Sequence, residues 1–423
     1  MTEQIKRDQV QAGSQANFSY DVEAVRADFP ILSRTVYDKP LVYLDNGASA
    51  QKPKAVIEAV RFCYEEQYAN VHRGAHYLSG ATTDAFENAR VKIARFINAA
   101  SDDEIVFTHN ATEAINLVAA SYGRAHLQAG DEIIISEMEH HANIVPWQLL
   151  SQEKGLTLKI APITDDGALD MEAFAGLLGP RTRLVAITHC SNVLGTVTPV
   201  KEIVALGHAA GAKVLIDGSQ GIVHGPVDVR DIDADFYAFT GHKLYGPSGI
   251  GVLHGKMAVL ETMPPYQGGG DMIEHVSFEK TTFKEPPHRF EAGTPPIVQV
   301  IGLGAAIDYI SSFGVETIAA HEHEVLAHAN ERLADIDGFR FIGTAPGKGP
   351  IVSFLIDGLH PLDVATVIDR EGVATRVGHH CAEPLMDRLG VEGTLRASIG
   401  MYNTKDEIDV LARAIEKAKA KLG

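Results

Sequence analysis

Only three cysteines, Cys63, Cys190 and Cys381, occur in 423 residues, and none forms a C-x-x-C pair. That leaves no material for a disulfide framework or a zinc knuckle, and no metal site is expected; the thiol content suits a reducing compartment. Positive charge is also short, with 37 Lys plus Arg against 55 Asp plus Glu and a formal net charge of −18. Such an acidic chain is unsuited to non-specific binding of nucleic acid or of an anionic membrane. No run approaches 18 apolar residues, so no membrane span is expected, and neither a repeat of 20–50 residues nor a low-complexity block is present. The segment from Met1 to about Tyr20 is rich in Gln, Ser, Asp and Lys. It lacks an apolar centre and an Arg-rich amphipathic pattern, so it reads as a tail rather than a signal or transit peptide, and a cytoplasmic location is expected.

What the chain does have is 45% apolar content, enough for a large core and two domains, and a rhythm. A helical stretch at Asp21–Phe29, a short strand at Val42–Asp45 and an amphipathic helix over Lys54–Ala69 are followed, from Thr82, by alternating helices and strands. Strands are predicted at Ile105, Glu132–Ser136, Leu156–Ile160, Leu184–Thr188, Val214–Asp217, Phe236–Phe239 and Gly251–His254. This predicts an α/β fold with a mostly parallel, doubly wound sheet. Helices at Ile301–Phe313, Ile318–Leu333 and Asp406–Lys421, with strands at Pro350–Ile356 and Leu395–Ile399, predict a smaller α+β domain. The expected division is a tail (1–20), a segment packing with the small domain (21–44), a large domain (45–300) and a small C-terminal domain (301–423). Between Pro264 and Phe290 the pattern is irregular and reads as a glycine-hinged loop around Gly268-Gly-Gly270.

Lys243 follows the aromatic run Phe236–Phe239 and lies in the glycine-bounded segment Thr240-Gly-His-Lys-Leu-Tyr-Gly-Pro247. A lysine after a strand is ordinarily a loop residue, but one entering a buried site has a lowered pKa and can attack a carbonyl to form a Schiff base. Asp217 ends the run Lys213-Val-Leu-Ile-Asp217, and residues past the carboxyl ends of strands line the ligand crevice of an open α/β sheet. A lysine and an aspartate together suit pyridoxal phosphate, the carboxylate keeping the ring nitrogen protonated. Taken alone, Asp217 serves equally well as a helix cap. The helix predicted from Asn110-Ala-Thr112 offers free N–H groups and a favourable dipole to a phosphate, with the Thr112 hydroxyl beside them; Asn110 and Thr112 also fit plain capping.

Other polar groups fall at similar strand ends. Glu139-His140-His141 follows one strand but lacks a second ligand pair at zinc spacing. His323 to His328 misses the i, i+4 spacing of a zinc helix, Gly302-Leu-Gly304 lacks the third glycine of a dinucleotide turn, and Gly218-Ser-Gln-Gly221 is one residue short of a nucleophile elbow. Cys381 follows His379-His380 on a short loop from Arg376. A lone cysteine is commonly a small buried hydrophobe; polar neighbours and Arg376 favour exposure and thiolate instead. Arg376 and Arg396 are each either surface cations or grips for a carboxylate.

Four segments in order, Glu137–Trp147, Asp217 in Ile-Asp-Gly-Ser-Gln-Gly221, Lys243 in Thr-Gly-His-Lys-Leu-Tyr-Gly-Pro, and Arg376-Val-Gly-His-His-Cys-Ala-Glu-Pro384, resemble the SufS-type (group II) cysteine desulfurases. These are pyridoxal-phosphate enzymes of the aminotransferase class V superfamily, and the likeness runs from about Phe29 to the C-terminus. The resemblance implies a fold-type I enzyme that converts L-cysteine to L-alanine and leaves a persulfide on Cys381. Lys243 would carry the cofactor and move the α-proton, and His140 would stack on the ring and move protons, with His141 assisting. Asp217, Gln220, Asn192, Thr240, His242, Ala111 and Thr112 would contact the cofactor, and Thr294 would reach the phosphate of a neighbouring subunit in a homodimer. Arg396, supported by Arg376, would bind the substrate carboxylate, with Asn192 and His72 near it. A SufE- or SufU-like acceptor would carry the sulfur to an iron–sulfur scaffold. Many relatives have Gly-Thr where this chain has Asn110-Ala111. Selenocysteine lyase activity would use the same residues, an aminotransferase or epimerase would not need Cys381, and a scaffold would carry no cofactor.

Overall fold

The computed structural model describes residues 20–423; the tail assigned to 1–20 lies, but for Tyr20, outside them. Seven strands form the main sheet: β1 (Ile105–Thr108), β2 (Glu132–Ser136), β3 (Thr157–Ala161), β4 (Thr182–Thr188), β5 (Lys213–Asp217), β6 (Phe236–Thr240) and β7 (Gly251–Gly255). Their spatial order is β1-β7-β6-β5-β4-β2-β3. Neighbours pair in parallel except β7, which is antiparallel to both β1 and β6. The inner strands are buried almost throughout and apolar at their centres because helices cover both faces, which is why they read in the sequence as continuous runs rather than alternating ones. In register, Asp217 pairs with Thr188 on one side and with Ala238 on the other. The carboxyl ends of β4, β5 and β6 therefore open at one level.

The helix Ile297–Phe313 begins four residues earlier than expected and buries residues around its whole circumference. It packs on the helices Lys54–Phe62 and Tyr77–Phe96. Gly304 allows the close approach, since a Cβ there would lie 2.9 Å from that of Ala89. The glycines of Gly302-Leu-Gly304 thus belong to helix packing. The predicted helix over Lys54–Ala69 is α-helical only to Phe62 and continues as a wider turn over Cys63–Gln67.

A second sheet holds β8 (Phe339–Ile342), β9 (Ile351–Ile356), β10 (Arg376–Gly378) and β11 (Thr394–Ser398), antiparallel in the order β8-β9-β11-β10. Helices Pro361–Arg370 and Lys405–Leu422 pack together beside it, the latter opened by a Thr404/Glu407 capping box. Val42–Tyr43 pairs in parallel with Val373–Ala374, and Asp45 bridges to Ser398. The segment Pro264–Phe290, irregular in sequence, contains an antiparallel hairpin, Ile273–Val276 with Thr281–Phe283, whose tip exposes Phe278 completely. Strands of four and three mostly exposed residues leave too little alternation to be read from sequence. Among the described residues no single helix is long and apolar enough to cross a membrane.

Candidate functional site

A cavity of about 290 Å³ opens where the strand ends of the main sheet meet the second sheet. Of the residues singled out in the sequence it is lined by Lys243, Asp217, His140, Asn192, Gln220, Thr240, His242, Ala111, Thr112, Arg376, Arg396 and Cys381. Thr294 is exposed elsewhere. His72 lies in a separate small cavity with Asp271, His288, Glu291 and Pro295, its Nε2 2.7 Å from Glu87. Cys190, Thr188, Ser219 and Gly47 also line the main cavity; Cys190 and Ser219 stand just past strand ends, a signal available in the sequence.

Asp217 is buried, and its Oδ1 accepts from both the N–H and the hydroxyl of Ser219. Lys243 enters the cavity from the turn after β6; burial lowers its pKa to about 8, the Asp217 carboxylate holding it up and Arg396 pressing it down. Burial also lowers His140 to about 4, helped by the Lys243 charge. Its Nδ1 accepts the Ala142 N–H at 3.0 Å, so the neutral ring carries its proton on Nε2. Asn110 caps the helix Ala111–Val118 by accepting from Glu113 N–H. The N–H groups of Ala111 and Thr112, first and second in that helix, have no intrahelical carbonyl to meet. Gly251 keeps this turn in place, since a Cβ there would fall 2.3 Å from the Asn110 main chain.

The second sheet supplies the cations and the thiol. Arg376 and Arg396 are register partners on β10 and β11. Like charges set opposite each other destabilise a strand pair, and Asp45 compensates, taking Nε and Nη2 of Arg376 at 3.0 and 2.8 Å and Nη2 of Arg396 at 3.3 Å. Hydrogen bonding to Asp45 raises the pKa of Arg376, while burial lowers that of Arg396 to about 10. Arg396 is 2% exposed, gives Nη1 to the Asn192 carbonyl, and leaves Nε without a partner among the described residues. Cys381 is exposed, while Cys63 and Cys190 are buried; burial pushes the Cys190 thiol up to about 12. His380 and Cys381 both adopt left-handed backbone, φ +53° and +57°, at a cost of roughly 1–2 kcal/mol each.

The residues present fit pyridoxal phosphate. Lys243 is an amine of lowered pKa for its aldehyde, Asp217 a buried carboxylate for its ring nitrogen, and the amides of Ala111 and Thr112 a cradle for its phosphate.

The aminotransferase class-V pattern matches residues 42–411. A cysteine desulfurase of Dickeya dadantii is 54% identical over 96% of this chain and 98% of its own length. The chain belongs to the cysteine desulfurases of the class-V aminotransferase family. It depends on pyridoxal phosphate accordingly. A protein of Mycolicibacterium paratuberculosis named as a probable cysteine desulfurase is also 54% identical over 94% of this chain, which spans 58% of that relative's length. Among solved structures, the cysteine desulfurase CsdA of Escherichia coli, in its S-sulfonic acid form, superimposes with a TM-score of 0.89 at 40% identity, covering 96% of this chain and all of that one. The apo enzyme of Thermococcus onnurineus NA1 gives 0.89 at 39%, covering 94% of this chain and 98% of the other.

Proposed function

We propose that this protein is a SufS-type cysteine desulfurase that takes sulfur from L-cysteine onto Cys381 and passes it toward iron–sulfur cluster assembly. The observation that carries the reading is the exposed Cys381 thiol lining the same cavity as Lys243 and Arg396. Pyridoxal phosphate, when bound, supplies an electron sink for the α-carbon of an amino acid. Arg396 lines the cavity with a buried Nε that has no partner among the described residues and is suited to a substrate carboxylate. Lys243, with a pKa of about 8, has roughly a tenth of its amine neutral at pH 7 and able to take a proton at Nζ. The Cys381 sulfur bonds to the substrate sulfur as the substrate's carbon–sulfur bond breaks; the electron pair stays with carbon, which takes up a proton to give L-alanine. Sulfur is conserved as the Cys381 persulfide.

The three residues from Arg376 to Gly378 form strand, so the thiol stands on a short, tethered loop. A thiol of little reach favours a dedicated acceptor protein, SufE- or SufU-like, that comes to the site. A homodimer is supported by exposed aromatic side chains at Tyr64, Tyr68, Tyr77 and Phe278, and by Thr294 and His72 lying outside this chain's own cavity. We assign the large domain to 45–300, the small one to 301–423 with 21–44 packed on it, and the location to the cytoplasm.

The test is the purified holoenzyme given L-cysteine and reductant, with sulfide and alanine measured for wild type and Cys381→Ala. Equimolar products, both lost in the variant, support the reading. Alanine that survives in the variant would overturn it in favour of chemistry without the thiol.

A further inference from the structure

The backbone of Cys381 lies in the left-handed region, as does that of His380 before it, and neither residue is a glycine. Such backbone persists only where its surroundings hold it. Three ties come from the main-sheet side. Asn192 Nδ2 donates to the His380 carbonyl at 2.8 Å. The His141 N–H donates to the Cys381 carbonyl at 2.7 Å. The Glu383 N–H donates to His141 Nε2 at 3.0 Å. His141 therefore grips the chain on both sides of the thiol, once with its main chain and once with its ring.

We propose that His141 is a positioning residue that latches the Cys381 loop onto the turn carrying His140. Its main-chain bond fixes the Cys381 carbonyl, and its ring bond fixes the first amide of the helix Glu383–Leu389. Because Nε2 accepts, the ring proton sits on Nδ1, the tautomer opposite to that of His140. Adjacent histidines thus take opposite roles, one presenting its ring to the cavity and the other holding the thiol in register with it. Misplacing a reacting atom by about 1 Å costs up to a hundredfold in rate, so the latch acts on the sulfur step rather than on substrate binding.

The inference rests on Cys381 being the reacting thiol, and its test is readable without turnover. In the holoenzyme, the rate of iodoacetamide alkylation at Cys381 is followed by peptide mass spectrometry for wild type, His141→Ala and His141→Gln, alongside kcat, KM and the cofactor's visible absorbance. The glutamine carbonyl replaces the Nε2 acceptor. The expected result is faster alkylation in His141→Ala, with kcat down roughly tenfold to a hundredfold, KM within about twofold and absorbance retained. His141→Gln should return alkylation and kcat toward wild type. Unchanged alkylation in His141→Ala overturns the proposal, as does a glutamine variant no better than alanine, or a defect confined to KM. If Cys381 were not the sulfur acceptor, alkylation would still change while kcat would not, which separates the two failures.

Discussion

Arg376 and Arg396 face each other across an antiparallel strand pair, and the carboxylate of Asp45 is bonded to both. Arg396 is the buried member, and its charge depends on that compensation. Removing one partner of a buried pair leaves the other uncompensated, at about 3 kcal/mol. Asp45→Ala should therefore lower the thermal unfolding midpoint clearly, and L-alanine, whose carboxylate can take the vacated place, should raise the variant's midpoint more than the wild type's. Equal shifts by L-alanine in both proteins would show that Asp45 does not share the arginine site with the carboxylate.

Lys243 gives a pH prediction. Burial lowers its pKa to about 8, so the amine is charged below that pH and neutral above it, and the Asp217 charge opposes the shift. In protein stripped of cofactor, trapping of an aldehyde on Lys243 by borohydride, read by mass spectrometry, should rise with a midpoint near pH 8. Asp217→Asn removes a group that stabilises the ammonium, so the midpoint should move lower still. A midpoint near the ordinary lysine value, or an upward move in Asp217→Asn, contradicts this electrostatic account.

Thr112 is the second residue of the helix Ala111–Val118, and both it and Ala111 line the cavity. Thr112→Val keeps the shape and removes one hydroxyl. One hydrogen bond to a charged group contributes about 1.5 kcal/mol, so pyridoxal phosphate should bind roughly tenfold more weakly in equilibrium titration. Unchanged affinity would move the phosphate away from this helix end.

The parts of the site that could be read from sequence are those whose signal is local. Asp217 and Thr240 end β5 and β6, whose buried residues form unbroken apolar runs, so strand and strand end were visible together. Asp45 also follows a strand, but its partners lie 331 and 351 positions away, and nothing nearby marks it as the counter-charge of two arginines. The edge strand Arg376–Gly378 has three residues, too few for a period. The left-handed backbone at His380 and Cys381 and the grip of His141 come from tertiary packing, which composition does not encode. Family likeness named Thr294 and His72, yet neither lines this chain's cavity.

Four histidines, three of them lining the cavity and His189 bonded to Tyr237 behind it, tie its integrity to acid. Burial, the largest cause in each, lowers His140, His189 and His242 to about 4 and His380 to about 3. In the unfolded chain the same rings titrate near 6.5. Between that pH and the folded values the unfolded state binds more protons, so stability rises with pH through the window and is lost as pH falls. Each ring contributes at most about 1.4 kcal/mol per pH unit. Glu139, raised to about 7 by burial, binds its proton more tightly in the folded state and opposes the rings over the same window, so the unfolding midpoint of the holoenzyme should fall from pH 6.5 to 5 by the net of four rings against one carboxyl. His380 Nε2 meets the carbonyl and hydroxyl of Thr394, a pairing that a glutamine amide can reproduce without titrating. His380→Gln should therefore flatten the acid limb by about a third of its net slope if the four rings and Glu139 act equally. A midpoint that stays level to pH 5 in the wild type would show that these rings are not held neutral by the fold.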